Sequence, residues 1–400
     1  MSYRILLLIV FFIVSCKKQQ KIKGFPAGIV QEISSKGIDS ECAFLAEGIG
    51  DEHFLCWTEE SQGNSVLVYK KYKDNKFSNK ITVAPTIGLQ SHHESMAKIG
   101  VTKEGMLFCL FRISRPSKAS KYAGALYYTT SKDDGKTWTK KTKLVSEANS
   151  SSQSFFDLER LASGELAMIW LDNRFSTREK EGSTLFFTRT DKAGGLADEK
   201  PIAFNTCQCC RTDLLIDGQN IKIAFRNIIN QKIRDMFYIT SNNEGDSFTE
   251  PIRISEDNWE IDGCPHTGPS LASNTTTSAV WFTAGQGNKG LFFATKNDFN
   301  SKFEKRIEIS ENGNHPQLVA LPNKYYVVYD EYYQKDNTTY QHIKLHKKNN
   351  FATDYIFSLS NEETMSTHPV VAKLSDSELL VAWTNLDGDN KKIQVIRIKI

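Results

Sequence analysis

Three things are scarce in this chain. No long segment repeats its apolar residues at the 3.6-residue spacing of an amphipathic helix, which excludes a helical bundle. Neither charge dominates: 50 Lys and Arg stand against 47 Asp and Glu, a net charge of +3, so nothing recommends nucleic acid as a partner. No apolar run is long enough to span a bilayer, and the most apolar one is Ile5–Val14.

That one run follows an early Arg4 and ends in Ile13-Val14-Ser15-Cys16. Ten apolar residues are too few to cross a membrane, so residues 1–16 read as a secretory signal. The ending resembles a bacterial lipobox, which implies that Cys16 is lipidated and becomes the mature N-terminus. Residues 17–27, KKQQKIKGFPA, read as a polar tether. The expectation is a single domain over 28–400, partnered with a membrane only through its lipid, in the bacterial cell envelope at the periplasmic face or cell surface.

Short β-rich runs separated by Gly, Asn, Asp and Ser turns fill the body. One element recurs, a few apolar residues ending in an aromatic and then something polar: FLCWTE, LFCLFR, LAMIWLD, IKIAFRN, SAVWFTA, YYVVYDE and LLVAWTN. Its aromatics are Trp57, Phe111, Trp170, Phe225, Trp281, Tyr329 and Trp383, at steps of 54, 59, 55, 56, 48 and 54 residues. Seven copies at that period predict an all-β fold, a β-propeller of seven four-stranded blades. The last copy runs out before a fourth strand, and the segment GIVQEI at 28–33 is expected to supply it and close the ring.

Counting fifteen residues back from each aromatic reaches Cys42, Met96, Phe155, Cys210, His266, Asn314 and His368, with His315 one step beyond Asn314. In a propeller, equivalent first-strand positions ring the central axis. The column therefore predicts an axial cluster of imidazoles and thiols. His92 and His93 sit near it in the second copy, and NTCQCCRTD sets Cys207 and Cys209 beside Cys210. Such donors suit copper or zinc, and the candidate ligands are Cys42, His92, His93, Cys207, Cys209, Cys210, Cys264, His266, His315 and His368. Two other readings stay open: disulfides among Cys207, Cys209, Cys210 and Cys264, with His-Pro pairs merely starting strands, or simple packing. Seven cysteines remain after Cys16, an odd number, so at least one is unpaired within the chain. Cys56 and Cys109 lie inside apolar strands and read as buried hydrophobes; His53, His342 and His346 lie off the column and read as surface or packing residues.

Two turns, Ser131-Lys132-Asp133-Asp134-Gly135-Lys136-Thr137-Trp138 and Ser241-Asn242-Asn243-Glu244-Gly245-Asp246-Ser247-Phe248, resemble the Asp-box, or BNR repeat, of the sialidase superfamily. TKNDFNSKF at 295–303 is a degenerate relative. The resemblance implies that the boxes lie between third and fourth strands, away from the axial mouth. It also implies a glycoside hydrolase acting on surface glycans, an exo-sialidase above all, or a non-catalytic glycan or protein binder. Sialidases hold the sugar carboxylate with three arginines and use an acid/base and a tyrosine nucleophile assisted by glutamate. The polar residues around the ends of the recurring element are candidates for those roles and for holding a small anionic ligand: Arg112, Asp172, Arg174, Arg226, Arg234, Asp235, Tyr329, Asp330, Glu331, Tyr332 and Tyr333. The Phe-Arg-Ile-Pro motif of those enzymes is not matched; Phe111-Arg112-Ile113-Ser114 comes nearest. Sialidases are six-bladed, against seven repeats here. The stretch from Cys207 to Leu271 is similar instead to a subgroup named sialidase-like by fold alone, a resemblance that implies no activity.

Overall fold

The computed structural model describes residues 28–400 apart from 117, 119, 147–151, 177–181, 193, 298–301 and 350–353. The proposed signal, Cys16 and the tether lie outside the described residues, as does part of the degenerate box near 300. Among the described residues the structure is all β apart from short 3₁₀ turns.

The strands form five sheets, antiparallel except where Gln341 pairs parallel with Met365, and a hairpin of two strands opens each of seven successive stretches of chain, called units below. Their first strands are Asp39–Glu47, Lys98–Val101, Gln153–Arg160, Asp213–Asp217, Ser270–Ser273, Gly313–Leu321 and Met365–Ser375. Each is followed by the strand bearing the recurring element, from His53–Ser61 in the first unit to Glu378–Asp387 in the seventh. In the seventh unit the third strand is Asn390–Lys399, and Gln31–Glu32 pairs along it, Gln31 opposite Val395. Consecutive first strands touch, and the seventh touches the first.

All seven aromatics of the element are buried, none more than 1% exposed. They pack between neighbouring units: Trp57 lies with Val370, Leu380 and Ala382 of the seventh, and Trp383 with Tyr326 and Val328 of the sixth. Apolar faces that no single four-stranded sheet could cover are thus buried between sheets.

The two boxes are built from local hydrogen bonds. Ser131 Oγ accepts from the Gly135 amide at 2.9 Å and Asp133 Oδ1 accepts from the Thr137 amide at 2.9 Å; Ser241 and Asn243 repeat both bonds. Gly135 and Gly245 have φ of 82° and 87°, which a side chain would strain. Trp138 then packs on Tyr69, and Phe248 on Phe187, of the preceding unit. Both boxes follow third strands, Gly124–Ser131 and Ile233–Ser241.

One irregularity positions the site. The first-to-second strand ladder skips two residues in four units, between Glu41 and Phe44, Ser154 and Asp157, Asn314 and Gln317, and Thr367 and Val370. The residue entering each bulge, Cys42, Phe155, His315 or His368, has φ between 46° and 60°, and His266 shares this at 50°. Bulges re-aim side chains that a regular strand would place on its faces. The sequence suggested that the His-Pro pairs start strands; His315-Pro316 and His368-Pro369 instead lie inside theirs. Proline has no N–H to donate, so it suits the unpaired second position of a bulge.

Candidate functional site

Four of the five residues with that left-handed backbone, all but Phe155, bring a thiol or imidazole to the mouth of the axis. The His315 and His368 rings stack at 3.7 Å, and His93 stacks on the other side of His368 at 4.3 Å. His92 lies 6.1 Å from His266 and edge-on to Phe155 at 5.6 Å. Five of the eight histidines therefore share one place.

Asp330 organises two of them. Its Oδ2 lies 2.7 Å from His315 Nδ1 and accepts from the Thr367 hydroxyl at 2.9 Å and the His368 amide at 2.8 Å. With the single Thr367 proton given to Asp330, the 2.8 Å contact between Thr367 Oγ1 and His368 Nδ1 has the imidazole as donor. Both neutral rings thus carry their proton on Nδ1 and keep a lone pair on Nε2. That lone pair on His368 faces Glu94 Oε1 at 3.9 Å. Glu94 is 2% exposed; its Oε2 accepts from the Gly268 amide, while its Oε1 has no hydrogen-bond partner. Arg211 supplies positive charge 3.6 Å from Oε1 and is itself fixed on the carbonyls of Pro269 and Pro316. One donor atom each from Glu94, His315 and His368 lie within 4.8 Å of one another.

Burial pulls both rings toward the neutral form. In His315 the Asp330 charge more than offsets it, so the pKa lies above the ordinary value. In His368, burial and the neighbouring His315 and His93 drive it well below.

A second group, Glu41, Cys42 and His93, adjoins the first. Ser91 bridges Cys42 Sγ at 3.2 Å and Glu41 at 2.6 Å, and Lys391 pairs with Glu41 at 2.7 Å. Burial lowers the His93 pKa, yet Cys42 and Glu41 together raise it to about 10.

Cys207, Cys209 and Cys210 form a third group. The expectation that Cys210 converges with the histidines on one ion is corrected here: its sulfur sits with Cys207 and Cys209 in the apolar cluster holding Phe155, Leu214, Phe225 and Ile228. The fourth unit turns Arg211, the next residue, toward Glu94 instead. The Sγ of Cys207 is 3.5 Å from that of Cys209 and 3.8 Å from that of Cys210, and Arg234 Nη1 approaches it at 3.3 Å. Hydrogen bonds from the other two thiols, with Arg226 and Arg234 behind them, hold Cys207 below the usual thiol range. Cys264 is exposed and joins none of these groups.

The arginine candidates are committed to the protein itself. Arg112 donates to the carbonyls of Gln153 and Tyr122. Arg174 pairs with Asp172 and Glu199. Arg226 donates to the carbonyls of Arg234, Thr267 and Phe282. Asp235 pairs with Arg253. Tyr329 is a core residue whose phenol burial pushes up, and Glu331 is held by Ser310 and His342. Tyr333 stacks on Tyr340 and His342, and Tyr332 is exposed. Off the column, His53, His342 and His346 are buried and partnered by Lys373 O, Glu331 and Asp354, and Cys56 and Cys109 are fully buried.

Sequence reasoning missed Glu94, Arg211 and Thr367. Glu94 follows His92-His93, and that adjacency was the available signal.

Residues 58–326 match the family model described as BNR repeat-like domain. The chain belongs to the BNR repeat-like family. Its fold is accordingly of the sialidase-like, propeller type. Solved structures share that architecture: polysaccharide lyase Uly1, at 11% identity, covers 90% of this chain and 90% of its own with a TM-score of 0.59. An ulvan lyase of family PL25 bound to -[GlcA(1-4)Rha3S]- gives 10%, 92%, 96% and 0.57. The endosialidase of phage phi92 gives 11%, 94%, 69% and 0.51. At these identities the likeness is one of fold. No curated protein matches the chain.

Proposed function

We propose that this BNR repeat-like chain is an exported, lipid-anchored propeller of seven blades that binds a divalent metal ion, copper or zinc, at its axial mouth through Glu94, His315 and His368. The observation that carries the reading is the buried Oε1 of Glu94, which has the Arg211 guanidinium at 3.6 Å but no hydrogen-bond partner and faces the lone pair of His368 Nε2 at 3.9 Å. A carboxylate and a lone-pair nitrogen repel each other, and a shared cation removes the conflict. With metal bonds of about 2.0–2.2 Å, two ligands of a tetrahedral ion sit roughly 3.4 Å apart, so a small rotation closes the site. Two imidazoles and one carboxylate also make up open catalytic zinc sites. The closed seven-bladed ring is supported by the cyclic contact of first strands and the Gln31–Val395 pairing, and the anchor by the sequence ending at Cys16.

The test is calorimetric titration of zinc and copper(II) into the metal-stripped full chain. One equivalent is expected, lost in His368→Ala and His315→Ala. An absence of saturable binding overturns the reading.

A second reading is favoured by the structures that share the fold, which include two polysaccharide lyases and an endosialidase. On it, the same mouth receives an acidic surface glycan. Release of an unsaturated uronide or of a fluorogenic sialoside's label identifies lyase or hydrolase activity; glycan binding without turnover identifies a binder.

A further inference from the structure

The axial site leaves the most compact cluster of soft donors unused. Cys207, Cys209 and Cys210 lie in the loop between Lys200–Thr206 and Asp213–Asp217, all three no more than 5% exposed. We propose that these three sulfurs form a separate, sulfur-only site for one soft monovalent ion, copper(I), independent of the ion at the mouth.

Geometry supports it first. A metal with bonds of about 2.3 Å to sulfur holds its ligands about 3.8 Å apart in a tetrahedron and about 4.0 Å apart in a trigonal plane. The two sulfur separations from Cys207 are 3.5 and 3.8 Å, and the third pair lies within 4.8 Å. The triangle is already close to the size that one ion needs.

Donor type and number choose the ion. All three donors are thiols, the ligands that select copper(I), zinc or iron–sulfur clusters. Structural zinc sites take four protein ligands, and among the described residues no further His, Cys, Asp or Glu joins this group, Cys264 being exposed. Three-coordinate copper(I) needs no fourth. The surrounding Phe155, Leu214, Phe225 and Ile228 keep water away, which disfavours hard, strongly hydrated cations.

Charge balance is also built in. Three thiolates around one copper(I) carry a net charge of −2, which an apolar pocket does not tolerate alone. Arg234 Nη1 lies 3.3 Å from Cys207 Sγ, and Arg226, whose carbonyl accepts from the Cys207 amide at 2.8 Å, adds a second buried guanidinium. Binding releases the thiol protons to solvent and changes no oxidation state.

The test is competition for copper(I) between the anaerobic, reduced full chain and the chromogenic chelator bathocuproine disulfonate, with X-ray absorption of the complex. The expected result is one equivalent with a sulfur-only first shell and a release of protons to solvent on binding. Cys207→Ser should weaken copper(I) by at least about 100-fold, beyond the loss typical of an outer-shell change, while His315→Ala leaves it unchanged. Cys209→Ser, checked for a native melting profile, repeats the test should Cys207→Ser fail to fold. A first shell dominated by nitrogen or oxygen, affinity indifferent to both Cys variants, or a Cys207–Cys209 disulfide that persists under reductant overturns the proposal. Because His315→Ala abolishes only the axial ion, failure of one site is distinguishable from failure of the other.

Discussion

The carboxylate of Asp330 lies 2.7 Å from Nδ1 of His315 and, through the same oxygen, receives the Thr367 hydroxyl and the His368 amide. One buried oxygen therefore fixes the tautomer of one ring directly and of the other through Thr367. In the proposed site Asp330 acts as a positioning residue, through its hydrogen bonds to His315, Thr367 and the His368 amide.

Replacing it should leave the two imidazoles present but misdirected. Asp330→Asn is expected to lower metal affinity about 10- to 100-fold, the usual cost of losing a carboxylate behind a ligating histidine. Titration calorimetry checks the loss, and the melting profile separates it from unfolding. Unaltered affinity would show that Asp330 does not orient the site.

A pH effect is expected below the mouth. A cavity of about 170 Å³ is lined by Lys98, Asp157, Glu159, Arg211 and Asp213. Burial, and then the charge of Asp157, raises Asp213 to about 7 from an ordinary 3.8. A carboxyl with a raised pKa holds its proton more tightly when folded, so its contribution to stability is present below about pH 4 and lost as pH rises toward 7. Asp213→Asn removes that titration and can still accept the Leu271 amide that Asp213 Oδ2 accepts at 2.7 Å. The variant should gain stability relative to the parent between pH 4 and 8, measured by denaturant melts. A difference independent of pH would contradict the assignment.

Packing between units gives a stability prediction. Trp383 is fully buried against Tyr326 and Val328 of the preceding unit, and Trp383→Ala should cost about 3–5 kcal/mol. Chemical denaturation measures it, and a loss below 1 kcal/mol would mean that the units do not depend on each other's cores.

Closure can be tested at its thinnest strand. The Ile33 amide donates to the Ile393 carbonyl at 2.9 Å beside the Gln31–Val395 pairing. Ile33→Pro removes that donor and should cost about 1 kcal/mol or more; an unchanged melting temperature would argue against a ring held shut there.

Much of this architecture was legible because it repeats. The seven aromatics at a period near 54 residues are all core residues, and the Asp-boxes form the turns that their residues allow. The column fifteen residues upstream also had a physical basis, a backbone with φ between 46° and 60° shared by Cys42, Phe155, His266, His315 and His368, at a bulge in all but His266. It failed at Cys210, whose backbone does not take that conformation and where the next residue, Arg211, turns toward Glu94. Glu94 was hidden because it meets His368 across 274 residues of sequence, a contact that only the folded chain creates. The arginines were misleading for a local reason: strand-end carbonyls and carboxylates absorb Arg112, Arg174 and Arg226 as structural cations.

Anomalous diffraction from crystals of the full chain grown with zinc, recorded on both sides of the zinc edge, tests the axial ion most directly. The account predicts a single strong peak at the mouth, about 2.0–2.2 Å from Nε2 of His315, Nε2 of His368 and an oxygen of Glu94. A map with no peak there, while Glu94 and His368 keep their 3.9 Å separation, would contradict it.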